Sequence, residues 1–446
     1  MLQRFYSSLF LIVNCAAGFS ASAVADDTLI IRGGTLVDPA HPAALGPDSS
    51  PKSFSRVTII IEDGVIAKVS PAGAASVPVD ARVIDADGLF VMPGIADMHN
   101  HLRSGTFLPG DDQAGILRSL LEWGVTTTFD PGVPAENFEQ LRSDIEQDPA
   151  AFPRAFLIKG VFTTEGGWGK GYKPATEEEA RATVRELKSA GSAGVKLMYD
   201  DMRWATTRPF PIMDRKIMAA IIDEAHRQGM KAFAHAPILE LAKQVVEDGI
   251  DCLLHGIISE PVDDEFIELM ASRGTCYIST MSMFNTNVGY SQWADKLAAF
   301  DIDERLDQKA LDLFHKVPTG TARLDNTGWA AERLPILTAN LLTMQRAGIS
   351  IVIGTDTGIP GVMPGIAAQM EIVLHVEAGL TVSQALLAAT RNAARMMDQQ
   401  NVFGGISAGM EADLLVLDAD PRTDIRNIRR IRHVIRAGHV VAASQD

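Results

Sequence analysis

The chain has 446 residues, 46% hydrophobic and 22% charged, an ordinary globular composition with ample material for a large core. Its formal net charge of −16 excludes the basic footprint of a non-specific nucleic-acid binder and argues against docking on an anionic membrane surface. Length alone allows about three domains, but α/β barrels run to about 250 residues as one unit.

Residues 1–25 read as a secretory signal. Arg4 supplies the positive start and Leu9 to Val13 the apolar centre, and Ala21-Ser22-Ala23 or Ala23-Val24-Ala25 a small-residue cleavage site. That centre is too short to span a bilayer, and a buried N-terminal segment is the alternative. The expectation is an exported chain, periplasmic or secreted. Asn14 before Cys15 argues against a lipoprotein. Cys252 and Cys276 sit in apolar strand-like runs and read as buried thiols rather than a bridge.

From Thr28 to Val91, short β-branched runs alternate with Gly, Asp and Pro breaks, and Pro39 to Pro51 reads as an exposed loop. The far end, GMEADLLVLDAD and IRHVIRAGHVV, has the same character. One small sheet domain built from both termini is expected, residues 26–92 and 401–446. Between them, residues 93–400 alternate strand-like runs (GVTTTFD, RAFLIKG, AGVKLMYD, KAFAHA, CLLHG, TCYIST, SIVIGTD) with amphipathic stretches such as ATEEEARATVRELKSAG. That repetition predicts parallel β/α units and, by count, a (β/α)8 TIM-like barrel. A doubly wound open sheet is the alternative, weakened by the lack of a Gly-rich dinucleotide loop. Met281 to about Trp329, the longest irregular region, reads as loop-plus-helix material that could cover the barrel mouth.

The run GLFVMPGIADMHNHL ends in His99 and His101, which alternation puts on one face of a strand with Asp97. Two imidazoles there suit one metal ion, although a lone HxH also fits two polar residues leaving a strand. The downstream strand ends decide: Lys196, His235, His255 and Asp356 each follow an apolar run and precede a polar or glycine-bearing loop. Barrel enzymes place functional residues at the carboxyl ends of strands. Singly, each has a bland reading as a core histidine, a snorkelling lysine or a turn cap. Together they converge on one face. His41, His226, His315, His375, His433 and His439 lack this context.

PGIADMHNH, GVKLMYD, AHAP, LLHG, GTDTG and the tail GGISAGMEADLLVLD together resemble the metal-dependent amidohydrolase superfamily, in its imidazolonepropionase-like and prolidase-like branch. The resemblance covers essentially the whole chain after the signal. It implies an α/β fold, a (β/α)8 barrel with a small β-sandwich built from both termini. It also implies two divalent metals, usually zinc, bridged by Lys196 carboxylated with carbon dioxide. His99, His101 and Asp356 would hold one metal and His235 and His255 the other. The metals would share a hydroxide, about 3.5–4 Å from metal to metal, with Asp356 as general acid and base. Asp97 and Thr357 are candidate outer partners.

The implied activity is hydrolysis of an amide C–N bond in a small substrate, a dipeptide or an N-acyl amino acid. The alternatives are lactone, ester or cyclic-amide hydrolysis on the same site, or an inactive periplasmic binding protein. No nucleic-acid or membrane partner is expected, and a homo-oligomer is left open. Four residues are candidate substrate contacts. Trp168 stands where a histidine often follows paired glycines in the resembling branch. Tyr199 would reach the substrate carbonyl, and Lys170 or Arg203 would pair with a carboxylate.

Overall fold

Nine consecutive buried residues, Val125–Val133, form one strand, the continuous burial of a strand covered on both faces in a parallel sheet. Seven more parallel strands join it: Ile95–Asp97, Arg154–Lys159, Gly194–Met198, Lys231–His235, Cys252–Leu253, Cys276–Ile278 and Ile351–Val352. In the computed structural model, which describes residues 28–40, 56–74, 81–102, 113–306, 308–316, 328–359 and 361–443, they form runs of three and five. Backbone bonds close both gaps. Phe162 N–H donates to Lys196 O and Met198 N–H to Phe162 O, each at 2.8 Å, and Met98 N–H reaches Ile353 O at 3.1 Å. The result is an eight-stranded barrel. The signal-like residues 1–25 and most of the Pro39–Pro51 loop lie outside the described residues.

Helices between the strands follow from local sequence. Glu177–Ser189 starts at Thr176, whose hydroxyl accepts from Glu179 N–H at 3.2 Å. Three acidic residues fill its first turn, and it buries Ala180, Val184 and Leu187, a stripe at helical spacing. Arg215–Arg227 is capped by Asp214 in the same way. No described helix is long and apolar enough to cross a membrane.

The strands from both ends form one sheet, in the order His439–Ala443, Ile431–Arg436, Leu414–Leu417, Phe90–Pro93, Leu29–Leu36, Arg56–Glu62 and Val65–Pro71. Its core packs Ile31, Ile59, Ile61, Ile66, Leu414, Val416 and Ile435. The join is the antiparallel pairing of Leu414–Leu417 on Phe90–Pro93, with Val416 opposite Val91.

A charged clamp fixes this sheet to the barrel. Arg154, on the third barrel strand, donates to Glu411 at 2.8 Å and Asp413 at 2.6 Å, and Arg436 reaches Asp413 at 3.0 Å. Burial pushes the Glu411 carboxyl up, but Arg154 and Arg436 hold it below the ordinary value of 4.5. The clamp is therefore at full strength near neutral pH and is lost as pH falls through and below that range. Arg154→Ala would leave Asp413, whose side chain is 3% exposed, short of a counter-charge. A loss of about 3 kcal/mol in urea unfolding is expected, and a loss below about 0.5 kcal/mol would show that the clamp contributes little.

One expectation is corrected. Cys252 and Cys276 are joined by a disulfide, because the two strands are neighbours and their register sets the residues directly opposite each other. Met281 to Trp329 is largely helical where described, as Met281–Val288, Tyr290–Phe300 and Gln308–Lys316. The end of the second helix packs on the terminal sheet's segment, where the Arg429 guanidinium lies 5.2 Å from the Phe300 ring centre.

Candidate active site

The carboxyl ends of strands one, four, five, six and eight bring His99, His101, Lys196, His235, His255 and Asp356 together, all at 9% exposure or less. The His99 ring lies 5.4 Å from His101 and 4.7 Å from His255, and His255 lies 4.5 Å from His235. Lys196 Nζ is 3.4 Å from His99 Nε2. Asp356 Oδ1 is 3.5 Å from His99 Nε2 and 3.4 Å from His101 Nε2.

The backbone is bent to make this convergence. Asp356 has φ of 60°, an uncommon left-handed conformation for a residue with a side chain. The glycines flanking it are required by contact. A Cβ on Gly354 would lie 2.6 Å from the His99 Cβ, and one on Gly358 would lie 2.4 Å from the His101 Cβ.

Each imidazole has one nitrogen committed outward. His99 Nδ1–H donates to Leu254 O at 2.8 Å, and His101 Nδ1–H to Asp130 at 3.2 Å. His255 Nδ1–H donates to Thr280 Oγ1 at 3.1 Å, the Thr280 hydroxyl being itself spent on Ser279 O. His235 Nε2–H donates to Asp200 at 2.9 Å. Burial holds His99 and His255 neutral, far below the ordinary imidazole value. His99 and His255 therefore each keep one lone pair, on Nε2. The Nε2 atoms of His99 and His101 both face an Asp356 oxygen. His99, His255 and Asp356 place one donor atom each within 4.8 Å of one another, and neutral imidazole with carboxylate is a donor set for zinc and its neighbours.

Asp97 and Thr357 tie strands rather than face the cluster. Asp97 accepts from Thr355 Oγ1 at 2.8 Å and Thr355 N–H at 3.1 Å, and burial pushes its carboxyl up to about 7. Thr357 Oγ1 lies 2.7 Å from Thr355 Oγ1.

The four candidate substrate contacts are not drawn together, and only Arg203 lines the cavity on this face of the barrel. Tyr199 is 4% exposed and donates its hydroxyl to Gln244 at 2.7 Å. Arg203 Nε is spent on both oxygens of Asp201, at 3.0 and 2.8 Å. Trp168 packs edge-on against Phe210 with ring centres 5.4 Å apart, and Lys170 is exposed. Sequence reasoning missed Asp130, Asp200 and Thr280, the outer partners of three imidazoles. Asp130 carried a legible signal, since it ends an apolar run, TTTFD, as the inner residues do.

An eight-stranded parallel barrel with imidazoles, a lysine and an aspartate at its strand ends defines a hydrolase of the barrel class. Residues 90–441 match the amidohydrolase family, and the chain belongs to it. It is similar to the imidazolonepropionase of Myxococcus xanthus, 25% identical over 414 residues that cover 86% of this chain and 90% of the relative. The crystal structure of a candidate prolidase from Bifidobacterium longum is 26% identical with a TM-score of 0.73, covering 93% of this chain and 94% of that one. A Xaa-Pro dipeptidase with methionine bound in its active site shares the fold at 23% identity and a TM-score of 0.71, covering 93% and 99%. The protein is therefore an enzyme of the imidazolonepropionase-like and prolidase-like branch, a hydrolase acting on C–N bonds.

Proposed function

We propose that the chain cleaves the amide bond of a dipeptide or N-acyl amino acid with two divalent ions, zinc in the first instance. His99, His101 and Asp356 would hold one ion and His235 and His255 the other, with Lys196, once carboxylated, as an anionic ligand to the pair. The carrying observation is the buried convergence of Asp356 with His99 and His101 at 3.5 and 3.4 Å and of Lys196 Nζ with His99 at 3.4 Å, with His99, His255 and Asp356 each placing a donor atom within 4.8 Å of the others.

Divalent ions held there would supply an activated water nucleophile and polarise the scissile carbonyl. Asp356 takes the proton released by the attacking water and delivers it to the leaving nitrogen. Asp130, Asp200 and Thr280 hold three rings in the tautomer that leaves a lone pair inward, an outer-partner role worth roughly 10- to 100-fold in metal affinity or activity.

The deciding experiment is release of free amino acid from a panel of dipeptides and N-acyl amino acids, using zinc-loaded protein and a chelated control. Release abolished by chelation and restored by zinc is expected for part of the panel. Release that survives complete metal removal would overturn the metal mechanism. No release from protein confirmed to carry metal would transfer the reading to esters, lactones and cyclic amides, the last being what the M. xanthus relative is named for.

Export is part of the same proposal. Residues 1–25 support it, and so does the Cys252–Cys276 disulfide, since such bridges persist in oxidising compartments. N-terminal sequencing of protein from the cell envelope is expected to begin at Val24 or Asp26. A mature protein that starts at Met1 in the cytosol would refute it.

A further inference from the structure

A cavity of about 320 Å³ opens on the carboxyl face of the barrel, between the turns after strands four, five and six and the helix Trp329–Arg346. Trp204 and Ile238 form its apolar wall, Arg203, Ser259 and Arg333 its polar side, and Glu240 and Glu260 also line it. Short stretches of chain and a shared carboxylate tie the cavity lining to the imidazole cluster. Ile238 follows His235 by three residues and Ser259 follows His255 by four. Trp204 Nε1–H donates at 2.8 Å to Asp200 Oδ2, the same oxygen that holds His235.

The two arginines differ. Arg203 is paired with Asp201, its Nε donating to both oxygens. Arg333 donates from Nη1 to Ser259 O at 3.2 Å, its buried Nε has no partner, and among the described residues no carboxylate pairs with it. A guanidinium stays charged at any physiological pH, and a buried N–H without an acceptor is costly. The edge left over, Nε with Nη2, is the one that takes a carboxylate side-on through two parallel N–H···O bonds.

We infer that Arg333 is the substrate-carboxylate anchor of this enzyme, which makes it specific for amides whose leaving amine carries a free carboxylate. The inference rests on the proposed amide hydrolysis and deepens it. Glu240 and Glu260 disfavour a multiply charged anion such as phosphate and leave a single carboxylate as the fitting ligand. The side chain of the released amino acid lies against Trp204 and Ile238, which selects an apolar residue. Cleavage is consequently confined to the terminal residue: an amidated or extended carboxyl end loses the anchor and meets the glutamates.

The test compares N-acetyl-L-phenylalanine with N-acetyl-L-phenylalaninamide on the zinc-loaded full chain, reading release of phenylalanine or its amide. Wild type is expected to prefer the acid about a hundredfold in kcat/KM. Arg333→Gln should lower kcat/KM for the acid by about the same factor, mainly through KM, and leave the amide unchanged. Arg333→Lys, which keeps the charge and loses the fork, should recover part of the loss. Equal cleavage of both probes by wild type, or an undiminished preference in Arg333→Gln, overturns the inference. If wild type cleaves neither, calorimetric titration with the same pair separates the two readings. Binding of the acid alone, lost in Arg333→Gln, upholds the anchor while the hydrolysis reading fails. No binding of the acid, or equal binding by the variant, overturns the anchor itself.

Discussion

Asp356→Asn is expected to keep much of its metal and to lose about a thousandfold or more in kcat on whichever amide the wild type cleaves. The amide is nearly isosteric with the carboxylate, and His99, His101 and His255 remain around it. What disappears is the only step that needs a base: removal of the water proton and its return to the leaving nitrogen. General acid and base groups contribute roughly 10²- to 10⁴-fold, and one group here serves both directions. Metal content by atomic emission beside kcat makes the result interpretable. Turnover within about tenfold of wild type at equal metal content would remove Asp356 from the proton path. A variant devoid of metal would show instead that its larger contribution is to binding the ions.

Lys196→Ala is expected to lose metal and activity together. The side chain is 3% exposed and its Nζ stands 3.4 Å from His99 Nε2. A plain ammonium at that point would repel divalent ions, whereas its carbamate is an anion with two oxygens to offer. Truncation should cut turnover at least a thousandfold and leave the protein with fewer than the two ions proposed, by analogy with loss of any anionic ligand. Acetate, which supplies a carboxylate that fits the vacated space, should restore part of both. A Lys196→Ala protein that binds two equivalents and turns over normally would refute the bridging role.

The barrel was legible because its strands are buried on both faces, so a segment such as Lys231–His235 reads as a short apolar run ending in one polar residue. Six such polar residues at or near strand ends, taken together, marked the inner cluster. The outer partners were not legible, since Asp200 with His235 and Thr280 with His255 meet only once neighbouring strands are in register. The same limit hid the disulfide, whose cysteines are 24 residues apart in the chain. Tyr199 was a different error. The alternation that turns Lys196 inward turns a residue three positions on to the opposite side, where Gln244 receives its hydroxyl. Arg203 and Arg333 have equal standing as letters, and only the position of Asp201 decides which is spent.

The pairing of Leu414–Leu417 with Phe90–Pro93 also has a temporal meaning. Strands made early in synthesis acquire that neighbour only when the last part of the chain has emerged. Until then Phe90–Pro93 presents an open backbone edge, and contacts between such distant segments close slowly. The barrel grows directly out of this strand, with Gly94 between Pro93 and Ile95 and its N–H on Asp413 O at 2.8 Å. The late arrival of the carboxyl terminus thus completes the support under the first barrel strand, the one that carries His99 and His101. A nascent or C-terminally truncated chain holds its first two imidazoles on an unfinished edge.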